Sequence, residues 1–463
     1  MAALWAAAAW HRLRVVDQAV VGSDSLGPYL QAQAALFGHL PRPPNPESGD
    51  ALWAAAVPIV AMADSLTDAF TIRFIAGALV APIGFAAAYH WTSERCSMAR
   101  RWAAGLAAGG ILAFDPGLLD TLVSGARSYG APELVGVLTL ALALGLRGVP
   151  WAPGVAMVGI AAAAGHHPLA IGVALGILPF VARLHRVHGG RVLRTALLIG
   201  GLAVLPRLLR LIDLAACGEG PSACIAAVAR SNVVDPEPWS RLIAVALHDR
   251  FAVDFNGSLA VVVVGLVLAL FCRQRDHRWA VGFAALALAG ILGVGLVNGY
   301  VRSYHLRIVA VPVAVATALG LARVWPLAIV ATAAFVHTQV DQLPVGPDPG
   351  ALSRHDAVAS ALPPGPLWVD RVWWSGPPTL DASAVVLSGW LNDRRDFRLG
   401  PSTPFVLLSV TDDAGEPSVV SFATASEARD WVTERGASPH QLGGAYDWAT
   451  IAHPETRLED ARW

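Results

Sequence analysis

Apolar residues fall into runs long enough to cross roughly 30 Å of hydrocarbon, or nearly so, with charged residues confined to the gaps between them. The runs lie at about 69–92, 101–115, 131–147, 151–165, 168–184, 195–213, 257–272, 279–297, 305–321 and 325–340. With an N-terminal segment they predict an α-helical polytopic membrane protein of about eleven transmembrane helices. That segment, MAALWAAAAW, is ten residues long before HRLR interrupts it, too short to span. Either it is the end of a longer first helix, or residues 1–20 form a tilted helix whose arginines snorkel to the interface. A signal peptide fits poorly, because its positive charge precedes its apolar run.

Arginine content sorts the connecting loops. SERCSMARR (93–101), RLHRVHGGRVLR (183–194) and CRQRDHR (272–278) are basic enough to be held on the cytoplasmic side. Strict alternation then puts residues about 20–68, 115–130, 165–168, 214–256, 298–304 and everything after 341 on the external side. Within the first external loop, SLGPYLQAQAALF (25–37) and ALWAAAVPIVAMA (51–63) have helical pattern, but a span there would break the alternation. Both are expected to lie flat at the interface.

After 341 the pattern changes. Apolar and β-branched runs at PLWVDRVWW, ASAVVLSGW, TPFVLLSV and PSVVSF, separated by Gly, Pro and Asp, predict strands. SRHDAVASALP (353–363) and ASEARDWVTERG (425–436) have helical spacing. The expected organisation is a transmembrane domain over 1–340, with its long first loop carrying juxtamembrane helices, and a small external α/β domain over 341–463. The tail holds 17 Asp plus Glu against 9 Arg, in keeping with a soluble external segment.

Composition sharpens this picture. The 463 residues are 55% hydrophobic and 14% charged, with a mean hydropathy of +0.52, outside the balance of a soluble globular protein. A formal net charge of −1 provides no basic field, which excludes nucleic acid as a partner. The chain contains no Lys, and Ala, Leu, Val and Gly dominate, reading as a GC-rich coding bias of bacterial type. Four cysteines are too few for a disulfide framework. Cys96 and Cys272 read as inert thiols, while Cys217 and Cys224 either close a local disulfide or stay free.

Candidate chemistry gathers at the external ends of helices. In VVGSDSLGPYLQ, Asp24 sits among turn residues, either as the cap of the following helix or as a general base facing the bilayer. Glu47 and Asp50 lie further along the same loop. The second cluster, FDPGLLDTLVSGARSYGAPE (114–133), brings Asp115, Asp120, Arg127, Tyr129 and Glu133 to the mouth of two helices. Charges so close to hydrocarbon need partners, so an Arg127 pair with Asp120 or Glu133 competes with a cavity lined by Arg127 and Tyr129. The third, NGYVRSYHLR (298–307), crowds Arg302, His305 and Arg307 at the outer end of one helix, where guanidinium groups suit a phosphate or ordinary anionic headgroups. His166 and His167 form an interfacial turn pair, with phosphate contact as the lesser reading. They are poorly disposed as metal ligands. No Walker loop, HExxH or GxSxG is present.

This layout resembles the GT-C-type integral-membrane glycosyltransferases, especially bacterial relatives of protein mannosyltransferases and of lipid A aminoarabinose transferases. GSDSLGPYLQAQAAL with PNPESGDALWAAAVP is similar to the family's first external loop. SGARSYGAPELVGVLTLALALGL is similar to its second external loop entering a helix, and RSYHLRIVAVPVAVATALGLA to a late helix with basic residues at its outer end. Many relatives carry two adjacent acidic residues in the first loop, whereas here Ser25 follows Asp24. The resemblance implies a polyprenyl-phosphate-linked sugar donor and a lipid, glycan or protein acceptor. It implies Asp24 as the base of an inverting transfer, and Arg127, Tyr129, Arg302, His305 and Arg307 around the donor. No cofactor is assigned, and a divalent metal stays open. The expected location is a bacterial inner membrane with the tail periplasmic. A transporter or lipid flippase, or an inactive GT-C-like scaffold, are the competing readings.

Overall fold

The computed structural model describes residues 1–21, 26, 28–29, 32, 36, 50–92, 94, 96–123, 131–166, 168–215, 258–271, 275–297, 303–346, 348–361, 368–370, 382–393, 398–399, 405–411, 417–422 and 449–452. The chain runs through helices α1 (Ala2–Leu13), α2 (Asp50–Met62), α3 (Leu66–Gly77), α4 (Val80–Trp91), α5 (Met98–Ala113), α6 (Pro116–Val123), α7 (Ala131–Gly145), α8 (Ala152–His166), α9 (Ala174–Ala215), α10 (Ser258–Leu270) and α11 (Arg275–Val297). The single turn Ser303–Leu306 and the 3-10 segment Arg307–Val309 then lead to α12 (Ala310–Leu321), α13 (Trp325–Gln339), α14 (Ala351–Ala361) and α15 (Ala382–Asp393).

Five stretches among the described residues are long and apolar enough to cross a membrane: Leu66–Trp91, Met98–Val123, Ala170–Leu198, His277–Val294 and Arg307–Gln339. Three shorter apolar helices, Ala131–Gly145, Ala152–Ala163 and Val261–Leu270, accompany them. The protein is thus a helical, membrane-like molecule. Its surface says the same, because Leu178, Leu198, Leu202, Val263, Phe271 and Val330 are exposed on α9, α10 and α13. Water-soluble monomers rarely present such apolar area, whereas hydrocarbon is a good solvent for it.

The buried interior forms two cores. The inner one, dominated by alanine, joins α1, α4, α5, α7 to α9 and α11 to α13. Its helices meet at small residues. A Cβ on Gly172 or on Gly290 would overlap the backbone of the other, and one on Gly320 would overlap the Gly265 carbonyl. Such close crossings are how helices associate where lipid is as apolar as the side chains. The outer core takes larger residues: Leu26 and Tyr29 of the first loop, Leu66, Phe70 and Phe74 of α3, Leu119 and Leu122 of α6, and Leu352, Leu387 and Leu391 of α14 and α15. Tyr29 stacks on Phe70 at 5.9 Å. The first two tail helices therefore share a core with the first loop.

Helix ends sort into two groups. In one, Arg147 bonds Glu94 and the carbonyls of His90 and Thr92, Arg100 donates to the Arg323 carbonyl at 3.0 Å, and His188 meets the Gly145 carbonyl at 2.6 Å. In the other, Arg12 meets Glu133, Arg307 meets Asp115 and Arg14 meets Asp341.

Several expectations need correction. The expected connection at 183–194 is narrower than a loop: two helices meet there, within α9, across a break at Gly189, whose φ of 78° favours glycine. The run ASAVVLSGW is helical, not a strand. Ala384, Leu387, Ser388 and Leu391 are its buried positions, and that three-and-four spacing is a helical face. Arg12 does not snorkel, since its side chain is buried. In the tail, five short strands β1 (Trp368–Asp370), β2 (Arg398–Leu399), β3 (Phe405–Thr411), β4 (Pro417–Phe422) and β5 (Ala449–Ala452) pair in the order β2-β1-β5-β3-β4. Only β1 and β2 are parallel. The predicted helix at 425–436, and Cys217, Cys224 and Cys272, lie outside the described residues.

Candidate functional site

A layer of buried ionisable side chains separates the two cores, where α3 gives way to α4, α5 to α6, and a 3-10 segment enters α12. Asp115 begins the layer. It precedes Pro116, the first residue of α6, and its Oδ1 accepts from the amides of Gly117 at 2.9 Å and Leu118 at 3.1 Å. An acidic cap followed by proline suits a helix start, because proline lacks the amide that would be orphaned there. The same oxygen lies 3.6 Å from Arg307 Nη1, with the arginine buried and the aspartate half-buried. Gly117 makes this possible, since a Cβ there would overlap the guanidinium of Arg307.

A second contact lies beside the first. Arg12, at the end of α1, approaches Glu133 in the first turn of α7 to 4.0 Å, and Asp115 is within its electrostatic reach. Gly77 leaves room for both, because a Cβ there would lie 2.5 Å from Arg12 Nη1 and 3.3 Å from Glu133 Oε1. Two cations thus face two anions. Their combined charge cancels, which is how charge survives where water is excluded. Next to Arg12, the His11 ring lies tilted against Phe114, with centroids 4.9 Å apart, and neither ring nitrogen is bonded among the described residues. On the outer side, Arg73 donates to the Leu122 carbonyl at 3.3 Å and lies over the Phe70 ring.

The expected site residues divide as follows. His305 is fully buried on the turn before Arg307, and Asp120 is exposed on α6. Glu133 meets Arg12, a partner not anticipated for it. Asp50 opens α2 and His166 ends α8, with their side chains outside the described residues. Asp24, Glu47, Arg127, Tyr129, His167 and Arg302 also lie outside them. The structure therefore brings Asp115 and Arg307 together and adds Glu133, Arg12, His11 and Arg73. The signal for the added cations was available: a charge inside an apolar run requires a partner, and both AWHRLR and FTIRFIAG interrupt one. Among the described residues no group of three His, Cys, Asp or Glu side chains is disposed to hold a metal ion.

The layer can fix the relative height of five chain segments and place a compensated field beneath whatever occupies the outer core. No family model matches the chain, and no curated protein matches its sequence.

Proposed function

We propose that this protein is a membrane glycosyltransferase that moves a sugar from a polyprenyl-phosphate donor to a lipid, glycan or protein acceptor at the external face. The carrying observation is the height of the charges. Arg12, Asp115, Glu133 and Arg307 collect at one end of the helices, between two apolar cores. A transporter is expected to place such groups near the midplane. A lipid-phosphate sugar presents its reactive carbon at that same end, with its tail in hydrocarbon. The resemblance of the first loop, of SGARSYGAPE and of RSYHLR to GT-C enzymes supports the same class.

In this reading the chain spans an inner membrane about eleven times and its tail forms a small periplasmic α/β unit. Asp24 takes the proton from the acceptor hydroxyl, whose oxygen forms a bond to the anomeric carbon from the face opposite the phosphate. The bond from that carbon to phosphate oxygen breaks, and polyprenyl phosphate leaves with the electron pair. Arg302, His305, Arg127 and Tyr129 surround the departing phosphate and stabilise its charge. Arg307, held against Asp115, anchors the segment that carries His305.

A scaffold reading has one observation in its favour: Arg307 and Arg12 already face acidic partners. The test is transfer of radiolabelled sugar from polyprenyl-phosphate donors in reconstituted vesicles, by wild type and by Asp24→Asn. Transfer that collapses in the variant supports the enzyme and its base. Folded wild-type protein that transfers from no donor overturns the proposal in favour of the scaffold.

A further inference from the structure

Helix α3 carries two caps of different origin. Ser65, its own N-cap, accepts from the Asp68 amide at 2.9 Å. Asp356 of α14, 290 residues away, accepts from the Leu66 amide at 2.9 Å, from the Thr67 amide at 3.1 Å and from the Thr67 hydroxyl at 2.6 Å. Ser388 of α15 donates to the same carboxylate. Asn392 reaches Ser388 Oγ at 3.4 Å and Ser360 Oγ at 3.5 Å, which extends the polar contact between α14 and α15. One carboxylate thus ties together three helices from two distant parts of the chain.

The segment leading into α14 is fastened as well. Arg14 donates to the Val340 carbonyl at 2.7 Å and faces Asp341 at 3.7 Å. Gly346 donates to Gln18 Oε1 at 3.2 Å, and Gly350 donates to the Asp17 carbonyl at 2.9 Å. Residues 340–346 and 348–350 therefore run as a strap along residues 14–18. Beyond the strap, the apolar contacts of α14 and α15 with the outer core come from Ala351, Leu352, Ala359, Ala384, Leu387 and Leu391.

We propose that residues 340–346 with helices α14 and α15 form a releasable latch over the first external loop, closed by Asp356 on the N-terminus of α3. The two caps make release separable from unfolding. With Asp356 withdrawn, Leu66 and Thr67 turn their amides to water while Ser65 still holds the start of the helix. Helix α3 then persists and α14 with α15 can lift from the outer core, uncovering Leu66, Phe70 and the loop residues Leu26 and Tyr29. A carboxylate suits this role, since an anion at a helix N-terminus is favoured by both its amides and its dipole. The inference stands independently of glycosyl transfer.

Hydrogen exchange measured by mass spectrometry on the full chain in lipid nanodiscs tests the latch. In Asp356→Ala, peptides covering Leu66–Thr67, α14 and α15 are expected to exchange roughly tenfold faster or more, from loss of charge-assisted bonds. Peptides of α5 and α12 keep their protection. Asp356→Asn, which retains one acceptor oxygen, gives a smaller rise at the same peptides, and Ser388→Ala a rise confined to α15. Unchanged exchange in α14 and α15 overturns the latch. So does a rise that extends to α5 and α12, because release and unfolding would then be one event.

Discussion

The inner and outer cores are both dry and both helical, yet they are built on opposite principles. In the inner core, Gly172 against Gly290 and Gly265 against Gly320 let backbones touch. In the outer core, Tyr29, Phe70, Phe74 and several leucines fill the space between helices. Each style has its own driving force. Between lipid-exposed helices the hydrophobic effect is weak, and close contact of small residues must supply the attraction. Where water is the competitor, buried apolar area is itself the driving force, at about 25 cal/mol per Å². The charged layer between them belongs to neither style of packing.

Substitutions can break this comparison. The largest effect is expected from Gly290→Leu, which drives a branched side chain into the backbone at Gly172; monodisperse protein on size-exclusion chromatography in detergent should be lost. Recovery of wild-type yield would mean that the inner core does not depend on close approach. Next comes Asp115→Ala, which removes a cap and leaves Arg307 buried without its counter-ion. A cost of about 3–5 kcal/mol is expected from the stranded charge, with roughly 1 kcal/mol more from the cap. In a thermal-unfolding series, Arg307→Ala should cost less when combined with Asp115→Ala than the two singles sum to. Simple additivity would show that the 3.6 Å contact carries no coupling.

Phe70→Ala addresses the outer core and should cost about 3–5 kcal/mol. Its melting should still be cooperative, with the loss of protection concentrated in α3, α6 and α14. A cost close to zero would mean that large side chains do not hold this layer. The smallest effect is expected at the opposite helix ends. Glu94 is largely exposed, and Glu94→Gln should shift stability by less than about 1 kcal/mol, as exposed ion pairs do. Raised salt should shrink that difference further. A larger shift would mean that Arg147 relies on Glu94 more than on the carbonyls of His90 and Thr92.

Much of this molecule was legible in the sequence. Apolar runs predicted helices at nearly every place where a described helix occurs, because burial in hydrocarbon or in a helical core imposes a local pattern on the chain itself. The helix start at FDPG was not read from the sequence, where 115–130 was expected as a loop, although its chemistry is confined to four residues. The run ASAVVLSGW was misread because a short apolar stretch fits a strand or a helix equally well, and only its neighbours in α3 and α14 select the face that is buried.

The pairings were decided elsewhere. Arg12 with Glu133, Arg307 with Asp115, and Asp356 with the amides of Leu66 and Thr67 join residues far apart along the chain. No local periodicity records which acid answers which base. Sequence by itself determined that charges placed at the ends of apolar helices would need partners. Tertiary structure determined the partners, because a buried charge is satisfied only by what the packing of other helices brings within a few ångströms.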